Sequence, residues 1–197
     1  MKTIIAVAFF GILTYAFADT VVYGKKVCQT DNNNGMVNID PKRFFSGTWY
    51  LTHATQSTRV TLSTICRDFE PKLNANGKTL GVTYGYYENG GTDNRYEVSC
   101  SGTQNTTRRD IFNFDCKSNN GRGETTNFHI DGSFLATDYD SYGVIYRCVT
   151  TGTLTEDNVF LIHRQKNPSD DEVKNILKHY GLDLKKFISR QKATCSN

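Results

Sequence analysis

An all-β chain closed by a C-terminal helix is the fold class this sequence predicts, and three observations carry it. From Gly47 to about Arg164 the residues fall into short alternating runs, the side-chain pattern of strands. Asn76-Gly77, Asn89-Gly90-Gly91, Asn120-Gly121 and Thr151-Gly152 punctuate those runs as tight turns. One amphipathic helical stretch follows after the β pattern ends. Eight short strands joined by tight turns make an up-and-down antiparallel β-barrel or a sandwich.

The elements follow in order. Residues 1–18 read as a signal peptide: Lys2 at the positive end, an apolar run from Ile4 to Leu13 too short to span a bilayer, and Ala16-Phe17-Ala18 as a small-X-small cleavage site. The mature chain, 19–197, is expected to be one secreted domain, long enough to bury a sizeable core. Residues 19–40 form a polar arm with an Asn32-Asn33-Asn34-Gly35 turn. Pro41-Lys42-Arg43-Phe44-Phe45 reads as one helical turn with proline at its start. Strands are expected near 47–55, 62–71, 79–88, 94–103, 108–116, 125–138, 143–150 and 157–165, with Gly132 marking a bulge or kink. The helix begins at Ser169, whose capping box is completed by Glu172. Val173, Ile176, Leu177 and Tyr180 form its apolar stripe, and Gly181 ends it.

Composition narrows the function classes. Net charge is +3 for the full chain, about +2 once Lys2 is lost, and the basic residues are scattered, so nucleic acid is not an expected partner. No later segment is apolar enough to span a membrane, and a monomer is expected. The six cysteines (Cys28, Cys66, Cys100, Cys116, Cys148, Cys195) include no Cys-X-X-Cys, which points to three disulfides in an oxidising compartment. Spacing alone leaves fifteen pairings open. Asn105-Thr106-Thr107 is an N-glycosylation acceptor. The chain holds no Gly-X-Ser-X-Gly or His-Glu-X-X-His, its acids lack a paired setting, and Asp170-Asp171-Glu172 answers to the helix dipole. A binder, not an enzyme, is expected.

Three stretches carry a family resemblance. Gly47-Thr48-Trp49 opens the first strand behind Phe44-Phe45-Ser46; Thr137-Asp138-Tyr139 sits before the seventh strand; Arg164 closes the eighth. Together these resemble the lipocalin signatures, which implies an eight-stranded barrel whose closed end is sealed by Arg164 stacked on Trp49. Ile65-Cys66 and Val144-Ile145-Tyr146-Arg147-Cys148 narrow the resemblance to the triabin and nitrophorin branch, salivary lipocalins of blood-feeding triatomine bugs. That branch implies disulfides Cys28–Cys148 and Cys66–Cys195, leaving Cys100–Cys116 across the fourth and fifth strands. Each bridge closing a long loop is worth about 3–5 kcal/mol in the chain-entropy model.

The same resemblance assigns a haem ligand to the third strand, where Gly85 stands in the ligand position and cannot coordinate iron; no cofactor is therefore expected. It also sets the inward faces: Gly81, Thr83, Gly85 and Tyr87 on the third strand, with two glycines leaving room; Leu51 and His53 on the first, His53 toward the open end; Ile145, Arg147 and Val149 on the seventh; Asn158, Phe160 and Ile162 on the eighth. The expected pocket is apolar and aromatic with a few polar groups. A guanidinium aimed inward needs an anion. For Arg147 that anion is either a ligand's phosphate or carboxylate, or an internal acid such as Glu97 or Asp115. His53 is either a hydrogen-bonded residue of a wet mouth or a ligand contact, and Tyr84, Tyr86 and Tyr139 read as wall or lid packing.

Two functions follow from the resemblance. One is sequestration of a small host mediator in saliva, an ADP, eicosanoid or biogenic amine that serves haemostasis, with Arg147 favouring the anions. The other is inhibition of a clotting protease through the barrel exterior, as in the thrombin inhibitor of this branch, which calls for an acidic patch.

Overall fold

The computed structural model describes residues 28, 35–88 and 94–195. The expected signal peptide, most of the N-terminal arm and the Asn89-Gly90-Gly91 turn lie outside the described residues.

Asp40 caps a single helical turn, α1 (Pro41–Phe44), accepting from the N–H groups of Lys42 and Arg43. Eight antiparallel strands follow: β1 (Trp49–Thr55), β2 (Asp68–Leu73), β3 (Thr79–Tyr87), β4 (Arg95–Gln104), β5 (Ile111–Asn119), β6 (Thr125–Thr137), β7 (Tyr142–Thr151) and β8 (Leu154–His163). Neighbours in sequence pair from β2 to β8, β8 pairs with β1, and β1 meets β2 through Trp49↔Phe69 and Tyr50↔Asp68. The ring is closed, as an up-and-down barrel requires, so no long sheet edge is left bare. The upper half of the same β1 edge is taken by a ninth strand that the alternation does not reveal, β9 (Phe187–Ser189), through His53↔Ser189, Ala54↔Ile188 and Thr55↔Phe187.

The helix α2 (Asp170–His179) lies outside the barrel, with Val173 and Leu177 fully buried against the outward faces of Val144, Tyr146, Val159 and Leu161. Ser169 Oγ accepts from the Glu172 N–H, as the capping box predicts, while the Glu172 carboxylate reaches His163 Nε2 at 3.2 Å. Gly181, at φ +70°, supplies the left-handed turn that ends the helix. The Leu182 N–H bonds back to the Leu177 carbonyl.

The expected second strand, 62–71, starts late. Residues 56–67 form a loop over the barrel mouth in which hydroxyls take the backbone groups that a ladder would have used. Thr64 Oγ1 bonds the Arg59 carbonyl and the Thr61 N–H, and Ser57 Oγ accepts from the Val60 N–H. Val60 and Ile65 anchor this loop, both fully buried. Gly132 is not the bulge: it pairs in register with Phe112 and Arg147, and the irregularity falls between Phe134 and Ala136. That extra residue lets Phe134 face the barrel interior and Ala136 face α2.

The disulfides are Cys28–Cys148, Cys66–Cys195 and Cys100–Cys116. Cys100 and Cys116 sit directly opposite each other on β4 and β5. Asn105 lies half-buried at the β4–β5 turn, its amide donating to Asn113 Oδ1 and its carbonyl oxygen capping Thr107 and Arg108.

Candidate functional site

The barrel floor is built from the turn that opens β1. Gly47 adopts φ +62°, a left-handed conformation that leaves space where the Arg164 guanidinium lies 3.3 Å from the position of an added Cβ. Arg164 Nη1 donates to the carbonyls of Ser46 and Thr48, at 2.7 and 3.1 Å, and its guanidinium carbon lies 3.5 Å from the Trp49 ring centroid. Trp49 Nε1 donates to the Phe44 carbonyl, and Phe44 stacks on the indole. Asp138 holds the facing turn by accepting from the N–H groups of Asp140, Ser141 and Tyr142. All four residues read as the closed end, Gly47, Trp49, Asp138 and Arg164, stand there.

Above this floor is a cavity of about 100 Å³ walled by Phe69, Val82, Tyr84, Phe114, Phe134, Ile145 and Phe160, with Arg147 as its one charged wall residue among those described. Ile145, Arg147 and Phe160 therefore come together as expected. Val149 is buried further along β7 and does not wall the cavity. Gly132, not a glycine of β3, leaves space there: nothing but Phe112 O at 3.8 Å and the Phe114 ring at 4.0 Å would meet a Cβ.

Four expected site residues face the other way. On β3 the inward positions are Leu80, Val82, Tyr84 and Tyr86, packed into the core, whereas Thr83 is exposed and Gly85 and Tyr87 line an outer trough with Arg95 and Glu97. The apolar residues at the even positions of Thr79–Tyr87 carry that phase plainly. His53 is turned outward by a bulge: Leu51 pairs with Ile162 but His53 pairs with Leu161, so Thr52 is an extra residue and the phase of β1 reverses. Thr52 fixes the bulge by donating its hydroxyl to the Leu161 carbonyl at 3.1 Å.

The acids proposed to pair with Arg147 also lie outside. Glu97 pairs with Arg95, and Asp115 with His129. Arg147, 6% exposed, donates from Nη1 to Asn158 Oδ1 at 3.2 Å and sits over the Phe160 ring, 5.2 Å from its centroid. No carboxylate among the described residues lies within 4 Å of it. Burial pulls its pKa down to about 10, with the nearby Arg67 and Arg59 adding to the pull and Tyr84 and Glu156 opposing it.

Arg67 is the second buried cation, 2% exposed, and the strand pattern does not mark it. Its guanidinium bonds the carbonyls of Thr64 and Arg59 and lies 4.8 Å from the Tyr86 ring centroid. Glu156 is the hub of the mouth loop. Thr58 donates to it, Arg59 pairs with it at 3.6 Å, and Ser57 Oγ lies 3.3 Å away. Arg59 thus takes the Glu156 carboxylate, while Arg67 and Arg147 are bonded to neutral carbonyl and amide oxygens at the upper end of the barrel.

The Gly85 position faces outward, and none of the four histidines walls the cavity: His53 lies behind the bulge, His129 between Asp115 and Asp131, His163 against Glu172, and His179 on the exposed face of α2.

A closed eight-stranded barrel with a floor sealed by a Trp–Arg stack, an inner cavity and a helix packed outside defines a lipocalin. Within that class the Triabin family profile matches residues 22–176, and the chain belongs to the triabin family. It is 36% identical to Triafestin-1 of Triatoma infestans over 96% of this chain and 91% of that protein. It is 32% identical to Triabin of Meccus pallidipennis over 89% of this chain and 99% of that one. Among solved structures it resembles a biogenic amine-binding protein (TM-score 0.68, 18% identity, covering 86% of this chain and 91% of that one). It also resembles a mutant of LTBP1 in complex with leukotriene C4 (TM-score 0.54, 24% identity, covering 82% of this chain and 90% of that one).

Proposed function

We propose that this chain is a secreted salivary binder that sequesters a small amphipathic anion, an eicosanoid-type acid, inside its barrel and so withdraws a signal of haemostasis. The observation that supports this reading is Arg147, a buried guanidinium with no acid beside it on an otherwise apolar wall. A carboxylate there recovers the Coulomb energy that burial costs the cation, while a hydrocarbon chain suits the aromatic lining. An ammonium ligand would find no carboxylate on the cavity wall, and a nucleotide would find few polar partners for its base and second phosphate. The leukotriene bound by the structural relative LTBP1 is of the favoured class. The family match and the three disulfides support a secreted binding protein rather than an enzyme.

At about 100 Å³ the cavity seats only part of such a ligand, since small-molecule pockets run from about 300 Å³ upward. The 56–67 loop must lift to admit the rest. The second reading, a protease inhibitor using an acidic exterior, finds Asp115 and Asp131 already engaged by His129. Titration calorimetry with arachidonic acid, its methyl ester and serotonin tests the proposal. The acid is expected to bind at least tenfold more tightly than the ester, and Arg147→Met to abolish that difference. Serotonin binding more tightly than the acid, or no heat from any of the three, overturns it.

A further inference from the structure

Outside the barrel lies a groove of about 590 Å³ between α2, the wall at β1 and β9, and the turns that flank β9. Lys174 and Lys178 enter it from successive turns of α2, Lys185 from the 3₁₀ turn before β9, and Lys192 from the turn after it. Leu182, Leu184 and Phe187 give it an apolar side. Two acids are present, Asp170 and Asp183, and the Asp183 carboxylate is occupied in capping the Lys185 N–H. None of the four ammonium groups has a carboxylate within 4 Å; among the described residues only Lys166 is a lysine that does. Four cations from three elements therefore meet two acids around one groove of small-molecule size.

The wall adds a second observation. His53 is 1% exposed, and its Nε2 is buried with no hydrogen-bond partner among the described residues. Its tautomer follows from the bulge. Thr52 spends its single hydroxyl proton on the Leu161 carbonyl, so the 3.2 Å contact with His53 Nδ1 has the imidazole donating. Nε2 is left as a bare acceptor, in a ring that burial keeps neutral. A buried acceptor without a donor is an unmet demand, and it stands in the residue that walls the groove at β1.

We propose that this groove is a second binding site, distinct from the barrel cavity, for an organic phosphate: a phosphate held by Lys174, Lys178, Lys185 and Lys192, carried on an apolar or aromatic body that lies against Leu182, Leu184 and Phe187. A phosphate monoester meets all three features, since its oxygens accept from several ammonium groups and its monoprotonated form also carries an O–H donor. The barrel cavity, with one arginine and an aromatic lining, suits a lipid acid; the groove suits a phosphate. The source is either a soluble phosphate ester or a lysophospholipid headgroup, which share this chemistry.

The test is fluorescence titration of the full mature chain with 4-methylumbelliferyl phosphate, its parent phenol 4-methylumbelliferone, and lysophosphatidic acid as competitor. The phosphate ester is expected to bind at least tenfold more tightly than the phenol. Lys174→Ala/Lys178→Ala should weaken it at least tenfold, while Arg147→Met changes it less than twofold. Both lysines are surface residues, so the double variant keeps the fold, which its unchanged urea midpoint checks. The ¹⁵N resonance of His53 Nε2 should move on saturation. Competition by lysophosphatidic acid assigns the lipid source, and its absence assigns the soluble one. Equal binding of ester and phenol, full affinity in the double lysine variant, or loss in Arg147→Met overturns the groove site. The last of these outcomes is independent of how the carboxylate titrations fall.

Discussion

Arg164 lies over the Trp49 indole, 3.5 Å from guanidinium carbon to ring centroid, and from there reaches two carbonyls of the chain entering β1. The pair ties the last strand to the first turn and closes the barrel floor. Arg164→Ala removes a partly desolvated cation–π contact and leaves two carbonyls short of a donor. A loss of about 2 kcal/mol is expected, read from the urea midpoint. Arg164→Lys should recover less than half, because an ammonium cannot stack flat and fork at once.

Arg147 is expected to work against stability. A buried cation bonded to a neutral amide costs desolvation that no carboxylate returns. Arg147→Met should leave stability unchanged or raise it by about 1–2 kcal/mol while removing the preference for an acid ligand. A strongly destabilised variant would show that the arginine is structural.

Glu156 holds the mouth loop through Ser57, Thr58 and Arg59. Glu156→Gln weakens the Arg59 pair and should speed ligand dissociation about tenfold, about 1.4 kcal/mol off the barrier, with a smaller change in melting temperature. Stopped-flow displacement measures it.

Two histidines should make stability depend on pH in opposite senses. Burial lowers the His53 pKa to about 4 from 6.5, with Asp170 opposing the drop. The unfolded chain therefore binds a proton that the folded one refuses, so stability falls as pH drops from 6.5 to 4, by about 3 kcal/mol at most. For His129, burial pulls down but its hydrogen bond to the Asp115 carboxylate and the charge of Asp131 push the pKa up on balance. Its contribution is complete below 6.5 and is lost as pH rises through the raised value. Denaturation of His53→Phe and Asp115→Asn across pH should remove one arm each, and histidine NMR titration reads both pKa values directly.

The all-β class and the outer helix were legible in the residues, and the resemblance carried by three short stretches added the barrel and its closed end. Turn dipeptides and alternation are local, the Ser169–Glu172 cap and the Val173–Leu177 stripe lie within one helix, and Gly47, Trp49, Asp138 and Arg164 are recognisable by type and order. Even the inward phase of β3 was legible in Leu80, Val82, Tyr84 and Tyr86, although the resemblance to a haem-binding strand argued for the opposite face. The site followed from strand pairing that no local pattern encodes. A single extra residue at Thr52 reverses the phase of β1 and moves His53 from the barrel mouth to the groove under α2, because one step along a strand exchanges its two faces. Likewise the acids that could have paired with Arg147 stand on the outer face, where Arg95 and His129 take them. Whether a charge is paired depends on which side of a wall its partner falls, and that is set by pairing across strands rather than by spacing along one.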